Sequence, residues 1–146
     1  MILLANAEIQ HEREKLLAIK GKEKLAPSDE TFLEKLCKRY KMDSPDFKEL
    51  ELRVDEIPTS LALAQAIVET GWGSSFAARH KNALFGITLK SGVKAYKDTY
   101  ASVIDYMRNL NTHYAYKSMR SLCQSMRQKG QDLDGKQLIK KMPLYF

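Results

Sequence analysis

"IPTSLALAQAIVETGWGSSFA", residues 57–77, decides the fold. Pro58 suits the first turn of a helix, and Leu61, Ala64, Ile67 and Val68 follow at helical spacing. The run is apolar on most sides, which predicts a buried central helix, and Gly71 and Gly73 end it. Its single carboxylate, Glu69, stands at the apolar C-terminal end, where a basic residue would complement the helix dipole better. Burial and the negative end of the dipole both disfavour the charged form. Glu69 therefore reads as a proton donor to a departing oxygen, the general acid of glycoside cleavage. Trp72 offers a flat apolar surface on which a sugar ring can rest, and the glycines beside it permit a tight turn. The plainer alternative is a surface glutamate near a helix end.

Upstream, residues 2–20 read as a helix whose apolar residues are Leu3, Leu4, Ala7, Leu16 and Leu17, closed by Gly21. "PSDETFLEKLCKRY" is a second helix, with Ser28 as its cap and Phe32, Leu33, Leu36, Cys37 and Tyr40 on one face. "SPDFKELELRV" is a third, carrying Phe47, Leu50 and Val54. Residues 1–56 thus form a helical segment too short to bury much core alone, which is expected to pack on the rest of the chain, residues 57–146.

Downstream, "SSFAARHKNALFGITLK" begins polar and ends extended, and two short extended pieces flank Ser91-Gly92 as a hairpin. "SVIDYMRNLN" is a helix with Ser102 and Asp105 as a capping box. "AYKSMRSLCQSMRQKG" is another, with Met119, Leu122, Cys123 and Met126 on one face, and "DGKQLIKKM" is a last short one. The expected fold is α+β, mostly α, with six or seven helices and one small hairpin.

The bulk properties narrow the function. A chain of 146 residues with 44% hydrophobic and 29% charged residues suits one globular domain. No apolar run is long enough to span a bilayer, so no integral membrane segment is expected. "MILLANAEIQ" lacks a basic n-region and a cleavage site, so it is not a complete signal peptide. The net charge of +6 suits an anionic partner, whether nucleic acid, acidic lipid or a cell-wall polymer, or simply a solvated basic surface. Cys37 and Cys123 read as buried free thiols, and the three widely spaced histidines give no metal-ligand pattern.

"SLALAQAIVETGWGSSFAARHKNALFGI", followed by "YMRNLNTHYAY" at residues 106–116, resembles the signature of family 73 of the glycoside hydrolases, the bacterial endo-β-N-acetylglucosaminidases, and most of all its Bax-type proteins. The resemblance runs from about Pro58 to the C-terminus, and more weakly through the N-terminal helices. It implies a lysozyme-like fold, hydrolysis of the bond between N-acetylglucosamine and N-acetylmuramic acid in peptidoglycan, and Glu69 as the catalytic acid. It also implies a location where peptidoglycan is, periplasmic or extracellular, with glycan strands as partner. No metal, organic cofactor or nucleic acid is expected, and a monomer is.

Around Glu69, Asn82, Phe85 and Gly86 of "NALFGI" are expected to line the groove, with core and turn roles as the alternative. Tyr106 and Asn109 share a helix face, and with His113 they could bond sugar hydroxyls and acetamido groups. Asn109 or Asn111 as a helix cap, and His113 on a backbone carbonyl, are the alternatives. No second glutamate follows Glu69. Asp98, at the end of the hairpin, is the position where the family places a second acid. The substrate's own 2-acetamido group is the other nucleophile available. The family's C-terminal tyrosine corresponds to Tyr145 in "MPLYF", after which relatives continue with another helix. Here the chain stops at Phe146, which reads as a truncated or divergent end. The rival readings are a lytic transglycosylase, a non-catalytic wall-binding module and, on charge alone, a nucleic-acid-binding helical protein.

Overall fold

The computed structural model describes residues 1–143. Helices α1 (Ile2–Lys20), α2 (Pro27–Arg39), α3 (Phe47–Arg53), α4 (Thr59–Thr70) and α5 (Phe76–His80) precede the strands β1 (Thr88–Leu89) and β2 (Gly92–Val93). Then come α6 (Thr99–Thr112), a single 3₁₀ turn at Tyr114–Tyr116, α7 (Lys117–Gln128) and α8 (Gly135–Ile139). The fold is mostly helical α+β, as expected, with eight α-helices among the described residues rather than six or seven. The additional one is α5, where Ser75 caps by accepting the Ala78 N–H at 3.1 Å, in a stretch whose polar start hid a five-residue helix.

One core joins the segments on either side of residue 56. Helix α1 packs on α3, α4 and α6; α3 also packs on α7, and α8 packs on α4. Leu16, Ile19, Leu36, Tyr40, Leu50, Val54, Ile57, Met107, Leu110 and Met119 fill the space between them.

The inward face of α1 differs from the one expected. Leu3, Leu4 and Leu17 are exposed, while Ala5, Asn6, Ile9, Arg13, Leu16 and Ile19 are buried. The polar pair goes inward because it satisfies backbone. Asn6 bonds both the carbonyl and the N–H of Ile57, at 2.7 and 3.0 Å, and Arg13 donates to the carbonyls of Glu51 and Val54. Beside them the buried Asp55 takes a two-pronged ion pair from Arg127, and its carbonyl accepts from Asn111 at 3.0 Å. Groups from α1, α6 and α7 thus pin the residues that enter α4, and so fix the helix that carries Glu69.

Helix α4 is not the buried central helix expected. It buries Leu61, Ala62, Gln65 and Thr70 and exposes Leu63 and Val68. A helix of small apolar residues all round carries little facing information, and its packing against α1 and α8 decides which side is covered.

Three cap and turn expectations also change. Helix α2 begins at Pro27 with Asp29, not Ser28, accepting the Ala26 N–H at 3.1 Å. Helix α6 begins at Thr99 with Asp98 as its cap, accepting the Ala101 N–H at 2.7 Å, so the supposed box of Ser102 and Asp105 lies inside the helix. The hairpin pairs Thr88 with Val93 and Leu89 with Gly92, which places Lys90-Ser91 in the turn. Asp105 instead anchors the hairpin. Its Oδ2 accepts from the Tyr96 hydroxyl at 2.6 Å and from Lys94 Nζ at 3.0 Å. Cys37 and Cys123 are buried free thiols.

Candidate active site

Helix α4 ends in a turn whose geometry follows from its glycines. Gly71, Trp72 and Gly73 all have positive φ, at 54°, 61° and 81°. Gly71 is the left-handed cap that stops the helix. Trp72 has no such freedom, and the left-handed conformation costs a non-glycine residue about 1–2 kcal/mol. The turn is held by hydrogen bonds: Trp72 N–H to the Ile67 carbonyl at 3.1 Å, and Gly73 N–H to Thr70 Oγ1 at 2.8 Å, while Thr70 Oγ1 itself donates to the Ala66 carbonyl. The result is an indole that is 83% exposed. A large aromatic side chain held in a strained backbone and left mostly exposed is a feature of binding sites rather than of cores.

Beside this turn lies a cavity of about 230 Å³, lined by Gln65 and Glu69 of α4, by Phe85, Gly86 and Ile87 of the loop before β1, by Tyr106 and Asn109 of α6, and by Tyr116. The loop passes so close to α4 that a Cβ on Gly86, whose φ is +64°, would lie 2.4 Å from Glu69 Oε2. Only glycine fits there while the carboxyl keeps its place. The Phe85 and Tyr106 rings stack in parallel at 3.8 Å, which makes a rigid aromatic back wall. Burial pushes the Tyr106 phenol well above its ordinary range, so it stays a neutral hydroxyl. The cavity mouth is open, and the Glu69 side chain is exposed rather than desolvated as the sequence suggested.

The structure therefore brings together five of the expected residues: Glu69, Phe85, Gly86, Tyr106 and Asn109. Trp72 stands on the turn directly after Glu69's helix but does not line this cavity. Asn82 adopts φ of 52° and donates to the Tyr96 carbonyl at 3.0 Å, tying the loop to the hairpin instead of facing the groove. His113 is exposed, and its Nδ1 accepts the Ala115 N–H at 3.1 Å, so it caps the 3₁₀ turn. Asp98 lies on a separate shallow recess with Lys94, Tyr100 and Arg108, its oxygen engaged by the α6 N-terminus. Tyr145 falls outside the described residues. Among the described residues, Glu69 is the only carboxylate that lines the cavity.

Sequence reasoning missed Gln65, Ile87 and Tyr116. For Gln65 a signal existed. It is the one amide in an apolar helix and lies four residues before Glu69, hence on the same face. No group of three or more potential metal ligands occurs among the described residues. No helix among them is long and apolar enough to cross a membrane.

A family model described as mannosyl-glycoprotein endo-beta-N-acetylglucosaminidase, or glucosaminidase, matches residues 44–138. The chain is also similar to a curated protein described as "Protein bax" of Escherichia coli (strain K12), with 34% identity over 157 aligned positions that cover 96% of this chain. The chain spans 57% of that relative's length. No solved structure matches.

Proposed function

This chain belongs to the glucosaminidase family of glycoside hydrolases, and on that premise we propose that it hydrolyses the bond between N-acetylglucosamine and N-acetylmuramic acid in peptidoglycan, with Glu69 as the acid that protonates the departing oxygen. The observation that carries this reading is the placement of Glu69: a lone carboxyl against a glycine at the mouth of an aromatic-walled cavity, one residue removed from a solvent-presented tryptophan turn.

The glycan would lie along the mouth, with one ring on the Trp72 indole and the scissile oxygen at Glu69. With no second carboxylate among the described residues that line the cavity, the substrate's acetamido oxygen is the nucleophile at the anomeric carbon. Water then opens the cyclic intermediate and the Glu69 carboxylate takes the water's proton. The net basic surface suits an anionic wall polymer, and the place of action is where that polymer is, in the periplasm or outside the cell.

The test is digestion of purified peptidoglycan by the wild type and by Glu69→Gln, with borohydride reduction and mass spectrometry of the fragments. Reducible N-acetylglucosamine ends, reduced about 10²–10⁴-fold in the variant, are expected. Anhydro-muramic ends would assign a lytic transglycosylase instead. Wall binding without release by either form would assign a non-catalytic module.

A further inference from the structure

Two polar atoms in the wall of the Glu69 cavity have no partner. Gln65 Oε1 and the Tyr106 hydroxyl are both buried without a hydrogen bond, in residues only 7% and 5% exposed. Buried polar groups are nearly always satisfied, because leaving one unpaired forfeits the hydrogen bonds it made to water. Neither can swing out to find a partner. Tyr106 is clamped by its stack on Phe85, and Gln65 lies on the covered face of α4. Both line the same cavity as Glu69. An unpaired acceptor and an unpaired hydroxyl in two residues that line one small cavity, beside the apolar surfaces of Phe85 and Ile87, fit a ligand with one N–H, one carbonyl and a methyl.

We propose that this cavity is the pocket for the substrate's 2-acetamido group, with Gln65 Oε1 accepting its N–H and the Tyr106 hydroxyl donating to its carbonyl oxygen. This rests on the glycosidase reading above and deepens it. Gln65 becomes a specificity-determining residue that reads the N-acyl state of the sugar. The Tyr106 bond holds the acetamido oxygen in a fixed orientation, and the Gln65 bond fixes the plane of the amide. A sugar bearing a free ammonium at the same carbon leaves the apolar part of the cavity unfilled. It must also shed its water there without a carbonyl for Tyr106. N-deacetylated glycan is therefore rejected.

The experiment compares dissociation constants, all in the Glu69→Gln background so that the material is not cleaved and the acetamido nucleophile does not enter the readout, for three ligands: purified peptidoglycan, the same material after chemical N-deacetylation, and that material re-acetylated with acetic anhydride. With Gln65 in place, the N-acetylated forms are expected to bind about 100-fold or more tightly than the deacetylated one, since the deacetylated sugar leaves buried polar groups unpaired. In Gln65→Leu the preference collapses to less than about tenfold. Gln65→Glu is the same size, keeps an acceptor and adds a negative charge that attracts the ammonium. It shifts the ratio towards deacetylated material by about tenfold or more. Binding ratios unchanged from those with Gln65 in both variants, or in Gln65→Glu should Gln65→Leu fail to fold, overturn the assignment. Absence of reducible N-acetylglucosamine ends from the wild type would overturn the glycosidase reading itself, and is a distinct result.

Discussion

Gly86→Ala tests how closely the loop holds Glu69. The added Cβ would lie 2.4 Å from Glu69 Oε2 and 3.2 Å from its Cδ, where ordinary contact begins at 3.4 Å. The carboxyl must therefore retreat by about 1 Å, a displacement that costs catalysis about 100-fold when it separates reacting atoms. The backbone adds a second cost. At φ of +64° an alanine is strained by about 1 kcal/mol, which lowers the melting temperature by about 3 °C in a chain of this size. Gly130→Ala separates the two costs, since Gly130 has φ of +66° and open space where its Cβ would go. Both variants should lose the same few degrees by calorimetry, while only Gly86→Ala loses turnover on peptidoglycan. Turnover of Gly86→Ala within about threefold of Gly130→Ala would refute the claim that Glu69 acts from this position.

Trp72→Gly removes a strained αL residue whose side chain is mostly exposed, so the chain becomes as stable or up to about 1 kcal/mol more stable, while affinity for glycan strands in a sedimentation assay falls about tenfold or more. Asp98→Ala loses the cap on α6 and about 1 kcal/mol of stability, with turnover of the folded enzyme unchanged; loss of turnover without loss of stability would make Asp98 the second acid. Asp29 is held below its usual value by hydrogen bonds from Lys22 and from the Ala26 N–H. Its stabilisation is then present above the ordinary aspartate range and fades as the pH falls through its lowered folded-state value. The stability gap between wild type and Asp29→Asn should follow that course in pH-dependent denaturant titrations.

The parts of the fold that were legible in the sequence are those where one local signal has no competitor. The αL glycine that stops α4, the apolar face of α2 and the hairpin before α6 are of this kind. The errors arose where two signals compete or none exists. Asp98 and Ser102 both offer a cap four residues apart, and only the hairpin, which brings the chain to Asp98 already extended, settles the start of α6. In α1, Leu3 and Leu4 look like core and Asn6 and Arg13 like surface. The reverse holds because the buried carbonyls of residues 51–57 need donors, a demand set by tertiary placement. The cavity was half legible. Glu69, Phe85, Gly86, Tyr106 and Asn109 carried recognisable chemistry, whereas His113 and Asn82 had chemistry that the backbone claimed first.

The open Glu69 and the closed back wall answer to different needs. Gln65 and Tyr106 sit on the packed faces of α4 and α6, with Phe85 of the preceding loop stacked on Tyr106, and the Asp55 and Asn6 networks fix those helices before any ligand arrives. Glu69, Gly86 and Trp72 form the exposed lip, reachable by a long polymer that cannot thread into a closed cavity. If the free protein does not dehydrate the acid, the glycan must. A ring on Trp72 and an acetamido group in the pocket would together cover Glu69 and exclude water as the sugar seats. Catalytic power then depends on filling the pocket, so Gln65→Leu should lower kcat as well as raise KM on N-acetylated substrate. A pure KM effect would mean that the wall binds the sugar without helping to seal the site.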